Sequence, residues 1–211
     1  MNTLEYIVKK FNADLSGKSP IAIPDTNRET LAHLFKELNF KKGAEIGVEE
    51  GLYSEVLCGT NPGLELYCVD AWKAYKDYRE HVTQSKIDTI YENAKKRLQK
   101  YNVKLIKKFS MDAVKDFEDD SLDFVYIDGN HTYQYVLDDI TEWSKKVRKG
   151  GIVAGHDFRR DKYIPDQKVI EAVSEYASVR EITFFVLGRK DKLPGEKRDR
   201  ARSWFWVKQD E

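Results

Sequence analysis

Asp128, Gly129, Asn130 and His131 stand directly after the apolar run Leu122–Ile127, and His156-Asp157 follows a second such run, Gly151-Ile-Val-Ala-Gly155. Carboxylates and imidazoles grouped at two strand ends can move a proton near neutral pH, or hold a cation between them. His131 is the candidate base, three residues after the strand-end acid. Asp128 and Asp157 are the alternative, a pair of hard oxygen ligands for Mg²⁺ that would acidify a hydroxyl. Structural roles remain open beside these: His131 orienting Tyr133, and His156 packed beneath the loop that Asp157 starts.

A second constellation precedes them. Glu45-Ile-Gly47-Val48-Glu49-Glu50-Gly51 leads from a short apolar run into a helix, and a glycine turn at a helix N-terminus lets a nucleotide-like ligand approach backbone N–H groups. The glycines do not follow GxGxxG, and Glu45, Glu49 and Glu50 would repel a pyrophosphate. A cationic ligand such as S-adenosylmethionine, with its sulfonium and ammonium groups, suits the turn better than NAD. Asp70 ends the next apolar run, 23 residues after Gly47, close to the offset of about 20 at which an acid meets a ribose diol.

These residues need a sheet. Short apolar runs at 44–48, 66–69, 104–108, 122–127, 151–155, 182–187 and 204–207 predict seven strands. Helical periodicity lies between them, at Ile87 to Leu98, Val136 to Val147 and Val169 to Tyr176, so the sheet is expected to be largely parallel and covered on both sides. Two helices, over 4–11 and 31–38, precede the first strand. The helix after Asp128 has Asp138 and Asp139 toward its start, Lys145, Lys146 and Arg148 at its end, and Gly150-Gly151 as its cap. Residues 188–203 have no apolar helical face, which predicts that the last two strands are antiparallel. Trp72, Tyr75, Tyr78 and His81 make an aromatic and charged segment after the second strand, where ordinary packing competes with an acceptor-binding role.

The chain of 211 residues suits one domain. Its 36 Lys+Arg balance 36 Asp+Glu, so no global field draws it to nucleic acid or anionic lipid, and neither is an expected partner. The basic stretch 189–202, with seven Lys/Arg against three Asp/Glu, reads as a solvated loop. No run approaches the roughly 18 apolar residues of a membrane span, and a cytoplasmic location is expected. Cys58 and Cys68 lack metal or disulfide spacing and read as buried thiols.

With Glu45-Ile-Gly-Val-Glu-Glu-Gly51, Asp70, Ser110-Met111-Asp112-Ala113, Ile127-Asp-Gly-Asn-His131 and Gly150-Gly-Ile-Val-Ala-Gly-His-Asp157, the chain resembles class I S-adenosylmethionine-dependent methyltransferases. The nearest branch is small, bacterial, and marked by EIGxxxG and D-G-x-H motifs. The resemblance implies an α/β fold: a Rossmann-like, doubly wound seven-stranded sheet of order 3-2-1-4-5-7-6 with an antiparallel last strand. It implies a single domain over 1–211, with 1–40 as a helical extension and 72–101 as a substrate lid. S-adenosylmethionine would be held by Glu45, Gly47, Val48, Gly51 and Ser54, by Asp70, Ala71 and Trp72 at the ribose, by Ser110, Met111 and Asp112 at the adenine, and by Asp128. The expected reaction is methylation of a small-molecule acceptor, at a hydroxyl, with deprotonation assisted by His131 beside Asp128 and Asp157 or, alternatively, by Mg²⁺ at Asp128 and Asp157 as a second cofactor. A Rossmann-fold NAD-dependent oxidoreductase and a non-catalytic cofactor-binding protein are the alternatives. Association into a homo-oligomer is compatible with the sequence.

Overall fold

A computed structural model describes residues 1–75, 83–160, 164, 166–188 and 201–209. Tyr78, His81 and most of the basic stretch 189–202 lie outside the described residues.

The first strand of the sequence reading is Lys42–Ile46 (β2), because Gly47 at φ 87° leaves the extended region and ends it. Before it come Thr3–Phe11 (α1), Ile21–Ile23 (β1) and Arg28–Glu37 (α2). Both expected helices form, and between them lies an unexpected strand. β1 is only three residues long, between Pro20 and Pro24, too short to show alternation; it pairs in parallel with Phe185–Leu187 (β7) at the sheet edge.

After β2 come Leu52–Thr60 (α3), Glu65–Asp70 (β3), Gln84–Leu98 (α4), Val103–Lys107 (β4), Ser110–Ala113 (α5), Leu122–Ile127 (β5), Tyr133–Lys146 (α6), Val147–Gly155 (β6), Val169–Val179 (α7), β7 and Trp204–Val207 (β8). The sheet has eight strands in the order β1-β7-β8-β6-β5-β2-β3-β4, so the expected count of seven is corrected by the added edge strand. β8 is antiparallel to both β6 and β7, and the remaining pairs are parallel.

Strand residues alternate between two cores. Phe124, Tyr126, Leu66 and Cys68 face α1 to α4, where Phe35 stacks on Phe124 at 4.1 Å between ring centres. Val125, Ile127, Ala44 and Ile46 face α6 and α7, with Trp143, Trp204 and Trp206. Cys58 and Cys68 are buried and free, as expected.

Two expectations about α6 fail. Gly150-Gly151 does not cap it: the helix ends at Lys146, and Val147 is already extended. The glycines serve β6 instead, where the register with β5 passes from Leu122↔Val147 to Phe124↔Ile152. A Cβ on Gly151 would lie 2.5 Å from the Asp123 carbonyl oxygen, so only glycine fits this bulge. Asp138 and Asp139 lie beyond the first turn, where the helix dipole is weak.

Candidate active site

The turn after β2 is held by Asp70. Its Oδ2 accepts from the amides of Val48 and Glu49, both at 3.0 Å, and its Oδ1 accepts from the Trp72 amide at 2.8 Å. Trp72 is buried, and its Nε1 donates to the Glu49 carbonyl at 3.0 Å, clamping the turn from the other side. Gly47, Glu49 and Gly51 all have positive φ. At Gly47 a Cβ would lie 2.2 Å from the Asp128 carbonyl oxygen, so the glycine is what lets β2 run against the end of β5.

Beneath the turn Glu45 is buried and accepts from the Ser54 hydroxyl. Burial pushes its carboxyl up to about 8, the Ser54 bond opposes that, and the nearby charges of Asp128 and Arg28 raise and lower it respectively. At the far end Ser110 donates to Asp139 and accepts from Trp143 Nε1 at 2.8 Å. Burial pushes Asp139 up to about 7 against the pull of the Ser110 bond.

Asp128 leaves β5 with its amide bonded to the Ile46 carbonyl at 2.7 Å. His131 Nε2 lies 3.4 Å from Asp128 Oδ1 and 3.3 Å from Asp157 Oδ2; His156 Nδ1 lies 3.6 Å and 3.4 Å from the same two oxygens. Asp157 is steadied by Gln167 Nε2 at 3.0 Å and Arg159 Nε at 3.1 Å. Burial would raise both aspartates, but the two imidazoles outweigh it and hold both carboxyls below the usual range. One ligand atom each from Asp128, His131 and Asp157 falls within 4.8 Å of the others, a span a single cation can bridge.

A cavity of about 620 Å³ joins these regions. Its wall includes Glu45, Gly47, Val48, Asp70, Ala71, Trp72, Ser110, Met111, Asp128, His131 and Asp157, all anticipated from sequence. Gly51, Ser54 and Asp112 are not on it: Gly51 packs on Leu98, Ser54 sits behind Glu45, and the exposed Asp112 pairs with Lys115 at 3.0 Å. Sequence reading missed Arg28, Tyr53, Phe109, Tyr135 and Asp139. Only Asp139 left a usable signal, since it occupies the core-facing position between Val136, Ile140 and Trp143.

A methyltransferase domain family matches residues 44–158, more than half of the chain and every strand from β2 to β6. The chain belongs to this methyltransferase domain family. The family's fold recurs in solved structures. An O-methyltransferase from Bacillus cereus in complex with S-adenosylhomocysteine superposes with a TM-score of 0.61 at 15% identity, covering 98% of this chain and 90% of that one. The O-methyltransferase TomG from Streptomyces achromogenes, in complex with S-adenosylmethionine, gives 0.59 at 17%, covering 97% and 89%. An rRNA methylase from Streptococcus thermophilus gives 0.56 at 13%, covering 85% and 95%, so the methyltransferase fold alone does not choose the acceptor. Uncharacterized protein R132 of Acanthamoeba polyphaga mimivirus is 33% identical over 93 residues, 40% of this chain and 41% of its own length. This chain thus spans less than half the length of that curated relative. Among the described residues no helix is long and apolar enough to cross a membrane.

Proposed function

We propose that the protein is an S-adenosylmethionine-dependent methyltransferase that methylates a hydroxyl of a small-molecule acceptor. The observation that carries this reading is one cavity running from the acidic glycine turn and Asp70 to the Asp128–His131–Asp157 cluster. The turn and Asp70 would take the methionyl tail and ribose, and Ser110 and Met111 the adenine, which brings the methyl group toward the cluster. An acceptor oxygen then attacks the methyl carbon, the carbon–sulfur electron pair returns to sulfur, and the acceptor proton passes to the cluster. Residues 72–75 and α4, whose Ile87 and Ile90 line the cavity, would cover the acceptor as parts of a lid on a single domain.

A divalent cation is a second reading for the deprotonation step, and the donor set supports it. His131 Nε2 faces both carboxylates, so the proton shared by these groups and a cation compete for one place. Two carboxylates and an imidazole fit a borderline cation such as Mn²⁺ or Fe²⁺ better than Mg²⁺, which prefers oxygen ligands alone. Bound there, such a cation would lower the pKa of an acceptor hydroxyl.

Calorimetric titration separates the cofactors. S-adenosylhomocysteine is expected to bind one-to-one and NAD(H) not to bind; the opposite pair of results would return the protein to the oxidoreductase reading.

A further inference from the structure

Arg28 belongs to the N-terminal segment, yet it lines the cavity beside Glu45. Asn27 caps α2 by accepting from the Thr30 amide at 3.1 Å, which fixes the backbone of Arg28 as the first helical residue. The Arg28 carbonyl accepts from the Tyr53 hydroxyl at 2.8 Å, and its guanidinium lies 5.3 Å from the centre of the Tyr53 ring. Tyr53 stands in the first turn of α3, directly after the glycine turn. Backbone and side chain of Arg28 are therefore both braced on the element that starts at the cofactor turn.

The charge pattern gives this placement a meaning. Glu45, Asp70, Asp128 and Asp157 make that end of the wall acidic. Among the described residues, and apart from the imidazoles, the wall's other basic side chain is Lys73, whose Nζ lies 6.0 Å from the centre of the Phe109 ring, at the Ser110 end. The positive charge of Arg28 reaches Glu45 and Tyr126, where it opposes the upward pull of burial. Acids alone would attract the ammonium group of a methionyl tail and repel its carboxylate. An arginine among acids matches both charges of an α-amino acid, and a guanidinium can grip a carboxylate with two parallel bonds.

We propose that Arg28 binds the α-carboxylate of the cofactor's methionyl tail, making the N-terminal segment part of the cofactor site. The inference rests on the reading of the cavity as an S-adenosylmethionine site.

Two ligands isolate the contact: S-adenosylhomocysteine, and 5′-methylthioadenosine, which keeps the adenosine and the sulfur but lacks the amino-acid tail. Calorimetry with Arg28→Ala is expected to show S-adenosylhomocysteine weakened by about 10- to 100-fold, in the range of a lost charge-assisted bond, with 5′-methylthioadenosine unchanged. Arg28→Met keeps an unbranched stem over the Tyr53 ring, so it should fold if the alanine variant does not and show the same selective loss. Equal losses for both ligands would overturn the proposal as a general collapse of the site. Undiminished S-adenosylhomocysteine binding by a folded Arg28→Ala or Arg28→Met variant would overturn it. If the unaltered protein binds neither ligand, the cofactor reading itself fails, and the proposal with it.

Discussion

Glu45 illustrates how a single buried group reports on ligand binding. Burial pushes its carboxyl up to about 8, so it holds a proton at neutral pH. A ligand ammonium alongside it favours the carboxylate, and binding of S-adenosylhomocysteine near pH 7 should then release a proton. The heat of binding is therefore expected to differ between phosphate and Tris buffers, and Glu45→Gln should remove the difference; equal heats in both buffers for the unaltered protein would refute the coupling. Asp70 acts through geometry instead, since three backbone amides converge on its carboxylate. Asp70→Ala leaves those amides without their acceptor and is expected to cost about 1–3 kcal/mol of stability, read as a lower Tm, besides weakening S-adenosylhomocysteine. Most of these residues were legible in the sequence because acids and glycines stood at the ends of apolar runs. Arg28 was not, because the fold alone brings residue 28 beside residue 45, and the core-facing position of Asp139 was overlooked because an acid beside Asp138 passes for a solvated helix charge.

At the scale of elements, the meeting of β2 and β5 sets the site. Gly47 combines φ 87° with a Cβ position 2.2 Å from the Asp128 carbonyl oxygen. Gly47→Ala must push β5 away or strain the turn, and a loss of more than about 2 kcal/mol is expected in chemical denaturation; a loss under about 0.5 kcal/mol, the range of innocuous surface changes, would show that the strand ends have room to spare. Legibility differed among elements for physical reasons. β5 and β8 were found to the residue because each is a run of large apolar side chains bounded by polar ones. β1 was missed because three residues carry no period, and its strand character comes from pairing with β7, more than 160 positions away. The end of α6 was misplaced because Gly150-Gly151 has the composition of a helix cap, while its use is the bulge that lets β6 turn in beside β5.

At the scale of the whole molecule, the buried acids predict an uneven response to pH. Glu45 and Asp139 titrate at about 8 and about 7 when folded, above their ordinary 4.5 and 3.8. Across that interval the folded state keeps protons that the unfolded state has lost, so stability falls as pH rises from about 4 to 8, by on the order of a few kcal/mol per group. Asp128 and Asp157 are shifted downward, so their contribution is present above the ordinary aspartate value and lost as pH falls below it. The Tm of the cofactor-free protein is therefore expected to peak near pH 5 and decline toward pH 8, with Asp139→Asn flattening the decline; a Tm that rises from pH 5 to 8 would contradict the burial argument. The N-terminal segment also belongs to this scale. Ile7 is fully buried, the Thr3 hydroxyl donates to the Gly150 carbonyl at 2.7 Å, and β1 extends the sheet. Removal of residues 1–27 deletes α1 and β1, so it should expose the core surface that α1 covers and the edge of β7 and lower Tm sharply by circular dichroism.

The proposed methyl transfer requires the cavity to orient the cofactor's sulfur toward the Asp128–His131–Asp157 cluster. A crystal structure with S-adenosylhomocysteine tests it most directly. The ribose diol is expected at Asp70, the adenine beside Ser110 and Met111, and the sulfur facing Asp128 and His131; a ligand bound elsewhere, or bound with its sulfur turned away from that cluster, would refute the proposed function.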